Sequence, residues 1–168
     1  MTEPAKRPTE SMTEMVQVVL PNDANPLGFI LGGTVMHLID IAGAIAAHRH
    51  ARSVLVTAAV DGLQFLHPIK VGDLIILNAR VTCAFATSLE ARVDVHSEEA
   101  LTGRRLLTSR AFLTFVTLAV DGRRERVPEL LLETDEERRV CEEAKARREA
   151  RLRRKAEAEA AAGTRPPE

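Results

Sequence analysis

The sequence predicts an α+β domain in which one long helix lies against an antiparallel sheet. Three observations carry that prediction. Residues 88–97 alternate strictly, with Leu89, Ala91, Val93 and Val95 on one side and Glu90, Arg92, Asp94 and His96 on the other. That is the pattern of a strand with one buried and one wet face. Residues 32–51 instead place Val35, Leu38, Ile39, Ala42 and Ile45 on one side at helical spacing. After them come β-branched runs divided by short turns, and short turns favour antiparallel neighbours.

Taken in order, residues 1–11 are polar, contain Pro4 and Pro8, and read as a disordered leader with no apolar signal segment. A short strand is expected over 14–20. The stretch from Pro21 to Gly28 is dense in turn formers and reads as a loop. Gly32-Gly33 then opens the helix, with Thr34 as a possible cap. His48, Arg49, His50 and Arg52 close it, cations where the helix macrodipole favours them. Strands are expected over 54–66, 74–85, 88–97 and 105–120, punctuated by His67-Pro68, Val71-Gly72-Asp73, Thr102-Gly103 and Asp121-Gly122. The domain so defined spans 12–127. Residues 128–168 form a charged tail, read as a solvated helix laced by pairs such as Glu149 with Arg153 and ending in disorder.

Composition excludes several classes of function. Among 168 residues the net charge is -1, and aromatics make up 3%, all of them Phe. Neither an electrostatic footprint for nucleic acid nor a base-stacking surface is present, although residues 145–155 are locally basic. The apolar window 29–47 is about long enough to cross a bilayer. His37, Asp40 and three glycines within it point to a buried helix of a globular domain instead. Cys83 and Cys141 are too few and too far apart in sequence for a disulfide framework or a zinc knuckle, so a reduced, cytoplasmic protein is expected. The five histidines lack metal-ligand spacing, and no nucleophile elbow, phosphate loop or zinc-protease motif occurs. No metal is expected.

Asp40 stands out. It is the only carboxylate between Asp23 and Asp61, and its neighbours are Leu38, Ile39, Ile41 and Ala42. Burying a charge without a partner is expensive. At helical spacing Asp40 shares a face with Gly33, Met36, His37, Gly43, Ala44 and Ala47, a side on which another chain can approach closely. Two readings follow from the residues: a functional carboxylate, or a buried one paired with His37 or a backbone amide.

The run Leu20-Pro21-Asn22-Asp23-Ala24-Asn25-Pro26-Leu27-Gly28, followed by Gly32-Gly33-Thr34-Val35-Met36-His37-Leu38-Ile39-Asp40, resembles the hotdog-fold acyl-CoA thioesterases, in particular the bacterial short- and medium-chain and brain-type cytosolic groups. Val56-Thr57-Ala58-Ala59-Val60-Asp61, Phe65 to Asp73, Thr87-Ser88-Leu89-Glu90 and Ala111 to Val120 extend the resemblance over about 13–122. It implies a hotdog fold, with the long helix wrapped by a five-stranded antiparallel sheet. It also implies hydrolysis of acyl-CoA to free acid and coenzyme A, with the coenzyme as part of the substrate and no other cofactor. Asp40 matches the family's catalytic carboxylate and Asn25 its loop asparagine. Thr57, Thr87 and Ser88 match positions that contact the coenzyme. The family forms homodimers with active sites at the interface, often three dimers to a hexamer.

Elementary chemistry agrees. Thioester hydrolysis builds negative charge on the carbonyl oxygen, and the amides of Gly32 and Gly33 at a helix start suit it. Asp40 can activate water or attack directly. Gly33 and Asp40 lie about 10.5 Å apart along a helix, so one helix cannot bring both to one carbonyl. The donors and the carboxylate are therefore expected from different subunits of a symmetric dimer. A non-catalytic, lipid-sensing acyl-CoA binder is the competing reading.

Overall fold

The computed structural model describes residues 4–163. The first three residues of the expected leader and the last five of the tail lie outside the described residues. Strands β1 (Thr13–Val18), β2 (Val54–Phe65), β3 (Leu74–Ala84), β4 (Ser88–Glu98) and β5 (Arg105–Leu118) form one sheet, with helices α1 (Gly32–Ala51) and α2 (Asp135–Gly163). The strand order is β1-β3-β4-β5-β2, and every neighbouring pair is antiparallel. This is the hotdog arrangement, with α1 laid along the sheet.

The alternation in β4 fixes which face is inner. Leu89, Ala91, Val93 and Val95 are fully buried under α1, with Leu77, Ala79 and Val81 of β3 and Ala111, Leu113 and Phe115 of β5. Val35, Leu38, Ile39, Ala42 and Ala46 fill the same core from the helix. Gly43 sets the helix close to the sheet: a Cβ there would stand 3.3 Å from the Phe115 ring.

Four expectations are corrected. Consecutive β2 and β3 are not neighbours. Their connection crosses the sheet, β2 pairs with β5 instead, and it becomes an edge strand. Thr34 does not cap α1; the cap position is Leu31, with no side-chain hydrogen bond. Residues 4–11 are not a loose leader: Lys6 bridges to Leu130, Pro8–Ser11 form a 3-10 turn, and buried Ser11 accepts a hydrogen bond from the Val81 amide. Finally, α2 is not a solvated tail and the cysteines are not the reduced thiols expected. Cys141 is disulfide-bonded to Cys83 of β3, with the Cα atoms 4.8 Å apart. Arg147 makes two hydrogen bonds of 2.9 Å to Glu90, and Arg151 makes one of 2.6 Å to Asp61. The half of β4 expected to be wet is thus partly roofed. Glu90 is 2% exposed, because Arg147 neutralises its charge while lying 3.7 Å above the Phe112 ring.

Candidate functional site

Asp40 lies on the third turn of α1, half-buried, on the side of the helix left open near the edge strand. Its partner is neither His37 nor a backbone amide. Thr57 Oγ1 of β2 donates to Asp40 Oδ1 at 2.7 Å. Thr57 reaches it because it shares the inner face of the sheet with Phe115, its register partner. Among the described residues Asp40 Oδ2 carries no hydrogen bond.

A second group of residues gathers at the start of α1. The first intrahelical bond runs from the Val35 amide to the Leu31 carbonyl, so the helix offers no acceptor to the amides of Gly32, Gly33 and Thr34. A leucine at the cap position leaves those donors to whatever else can accept them, together with the positive end of the macrodipole. Beside them lies a cavity of about 330 Å³ lined by Asn25, Phe29, Gly32, Val35, Phe65 and Ile69, among others. The Asn25 carbonyl oxygen accepts from the amides of Leu27 and Phe29, at 3.0 and 3.2 Å, and so holds the loop in its turn. Its side-chain NH₂ is the group left to donate.

The predicted site residues therefore fall into three places within one chain. Asn25 and Gly32 share the cavity, with Gly33 next along the helix. Asp40 and Thr57 are paired but do not line that cavity. Thr87 and Ser88 are remote from both. Ser88 is in register with Val116 and, through it, with Val56 of β2, two strand spacings or about 10 Å away. Thr57, one residue further, points to the opposite face of the sheet. The Thr87 carbonyl is taken by the amide and hydroxyl of Thr117. The apolar cavity walls carry no individual signal in the sequence, although Phe65 to Asp73, which supplies one wall, is legible as a motif.

The region around Asp40 is open on a surface rich in apolar side chains. Met36 of α1 and Val60 and Phe65 of the outermost strand β2 are about half exposed on this side, and Val54 and Val56 are about half exposed on the other face of β2. No helix is long and apolar enough to cross a membrane. Among the described residues no cluster of three or more His, Cys, Asp or Glu could hold a metal ion.

Residues 27–103 match the profile of the thioesterase superfamily. The chain is 39% identical to an acyl-CoA thioester hydrolase of Bacillus subtilis over 128 residues, 76% of this chain and 74% of that one. It is 34% identical to the human cytosolic acyl coenzyme A thioester hydrolase over 139 residues, 82% of this chain but only 37% of that longer protein. A hexameric acyl-CoA thioesterase superposes with a TM-score of 0.86 at 41% identity, covering 92% of this chain and 99% of that one. The acyl-CoA hydrolase of Staphylococcus aureus, solved with butyryl coenzyme A and coenzyme A, gives 0.87 at 34% identity, covering 95% and 98%.

Proposed function

The chain belongs to the thioesterase superfamily of hotdog acyl-CoA hydrolases, and from that membership we propose that it hydrolyses acyl-CoA thioesters at sites shared between two subunits, with Asp40 as the catalytic carboxylate. The carrying observation is the split geometry. Gly32 at the helix start and Asn25 line one cavity, while the Thr57-oriented carboxylate lies about 12 Å further along the same helix. The apolar, unpaired edge of β2 and the adjoining face of α1 are where a second copy fits. Antiparallel α1 helices meeting there bring the Asp40 of one chain toward the helix start of the other.

In this reading the thioester carbonyl oxygen takes hydrogen bonds from the amides of Gly32 and Gly33 and from Asn25. Thr57 holds Asp40 Oδ1, which leaves Oδ2 either to take the proton of an attacking water or to attack the carbonyl itself. The carbon–sulfur bond breaks and coenzyme A leaves as a thiolate that then takes up a proton; on the first route the water oxygen is already in the free acid, and on the second an acyl–Asp40 anhydride remains, which water cleaves to the free acid and the Asp40 carboxylate. Support for these residues comes from the Staphylococcus aureus enzyme. It has been solved as single alanine variants of an asparagine, an aspartate and a threonine, spaced along its chain as Asn25, Asp40 and Thr57 are here. Thr87 and Ser88 belong to the proposal as coenzyme contacts supplied from elsewhere in the assembly. Three dimers per hexamer follow the hexameric neighbours, and cytoplasmic residence follows the cytosolic relative.

The test is release of free thiol from acyl-CoAs of graded chain length by the purified chain. Turnover that falls more than tenfold, about 1.4 kcal/mol of barrier, in a folded Asp40→Asn variant supports the assignment. Binding of acyl-CoA without any thiol release in the wild type would favour the lipid-sensing reading.

A further inference from the structure

The cavity beside the start of α1 has an open rim and a buried floor. Asn25, Gly32 and Phe65 stand at the rim, half-buried or exposed, and Val35, Ile69 and Ser109 form the floor. Valine and isoleucine suit the bottom of an apolar pocket. Serine at 1% exposure does not.

Ser109 reaches the floor through its place in the sheet. It stands two residues before Ala111 on β5, so its side chain falls on the inner face with those of Ala111 and Leu113. Its register partners are Val95 of β4 and Phe65 of β2. From there the Phe65 ring extends to the helix start, where a Cβ on Gly32 would stand 3.5 Å from it. Ser109 therefore lies about one phenylalanine side chain deeper than the helix-start amides.

Among the described residues the Ser109 hydroxyl has no hydrogen bond. The other fully buried hydroxyls all do: Ser11 donates to the Pro8 carbonyl, Thr108 to that of Val95 and Thr117 to that of Glu125. Nor is the Ser109 oxygen sealed off, so it opens on the cavity. Burying a hydroxyl without a partner costs stability, and an alanine at the same place would avoid that cost. The floor thus keeps a donor that the chain itself does not use.

We propose that Ser109 selects the acyl group: its hydroxyl bonds an oxygen carried by the acyl chain, so that hydroxylated acyl-CoAs are preferred over plain ones of the same length. The inference rests on the hydrolase reading, in which the thioester carbonyl lies at Gly32 and Asn25. Beyond that point the pocket suits the acyl chain rather than the charged coenzyme, because its walls are largely apolar. A hydroxyl carried down such a pocket gives up its water, and a partner at the floor makes good the loss. Serine both donates and accepts, so it matches a hydroxyl in either direction. A plain chain would leave Ser109 unpaired, which is how a buried polar group discriminates. A cavity of about 150 Å³ holds the six carbons of benzene, so 330 Å³ takes roughly a dozen carbons, room for a hexanoyl chain and a hydroxyl.

The experiment measures thiol release by the purified full chain from hexanoyl-CoA and from its singly hydroxylated analogues, the hydroxyl moved from the third carbon to the last. In the wild type kcat/KM for at least one analogue is expected to exceed that for hexanoyl-CoA about fivefold, and in Ser109→Ala that ratio is expected to fall about tenfold. Ser109→Ala is also expected to melt no lower than the wild type, since it loses no internal hydrogen bond. A wild type that favours no analogue, or ratios that are the same in both proteins, overturns the proposal, and thiol release from hexanoyl-CoA then leaves the hydrolase reading standing. A variant that melts several degrees lower shows that the hydroxyl is satisfied within the protein, and overturns it as well. A wild type that releases no thiol from any acyl-CoA removes both readings.

Discussion

Asp40 illustrates what single residues can and cannot reveal. An isolated carboxylate in an apolar helix signals a purpose because ionised groups resist burial, and that signal was fully legible in the sequence. Its partner was not. The Thr57 hydroxyl lies 17 residues away on another element, and no spacing rule links a helix position to a strand position before the sheet register is known. Asn25 shows the converse. The loop around it reads as a turn from composition, but only the structure shows that its side-chain oxygen Oδ1 builds the turn, in which the NH₂ takes no part. Thr57 is a positioning residue in this account, because it acts through Asp40. Thr57→Ala is expected to lower kcat about tenfold, the worth of one charge-assisted hydrogen bond, with the fold intact by circular dichroism. Thr57→Ser restores the hydroxyl and is expected to recover most of that loss, which a purely structural role at this exposed position would not require.

At the scale of elements, strands with one apolar and one polar face were readable wherever alternation was strict, as in β4. The sheet order was not, because the crossing between β2 and β3 has a short turn-rich connection that looks like a hairpin. The furthest departure from the sequence reading is α2, whose sequence has few large apolar residues. It docks through a disulfide, cation–π contacts and ion pairs of Arg147, Arg151 and Arg154 with two sheet carboxylates, beside the small buried contacts of Val140 and Ala144. Such pairing is invisible to a hydrophobic-periodicity reading, since Arg147 and Arg151 look like surface charges until Glu90 and Asp61 are placed beneath them. Arg147→Ala leaves the Glu90 carboxylate buried with only the Thr82 hydroxyl. A loss of about 3 kcal/mol is expected, near the low end for breaking a buried pair, read from the urea midpoint. At its N-terminus α2 has a capping box. Glu137 accepts from the amides of Glu133 and Thr134, and Thr134 Oγ1 accepts from the Glu137 amide. The Thr134 amide above all holds the Glu137 carboxyl below its ordinary value of 4.5. A depressed carboxylate stabilises the fold above its unfolded value and loses that effect as pH falls through its folded value. Wild type is therefore expected to exceed Glu137→Gln in stability at pH 7, by about 1 kcal/mol or less for an exposed cap. The gap should close as pH drops below about 4.5; a gap that stays constant down to pH 3 contradicts the cap.

At the scale of the molecule, the groups assigned to the proposed reaction do not lie in one place within a chain, and a shared site predicts that complementary lesions rescue one another. Asp40→Asn removes the carboxylate. Asn25→Asp keeps the oxygen that accepts from Leu27 and Phe29 and replaces the donating NH₂ by a negative charge opposed to an oxyanion. Each variant alone carries the same lesion in both sites of its dimer and is expected to be nearly inactive. In a mixed dimer one site receives both lesions. The other receives an intact Asn25 from one chain and an intact Asp40 from its partner. Random pairing of equal amounts makes half the dimers mixed, and each has one sound site of two, so co-refolded mixtures are expected to regain about a quarter of wild-type turnover. Grouping three dimers into a hexamer leaves that fraction unchanged, because the sites stay within dimers. The geometry leaves little room for another outcome. A continuous helix from Gly32 to Ala51 keeps Gly33 and Asp40 about 10.5 Å apart in every chain, more than an aspartate side chain spans. If mixed dimers form, as native mass spectrometry can establish, and no activity returns, both groups act from a single chain and the shared site is wrong.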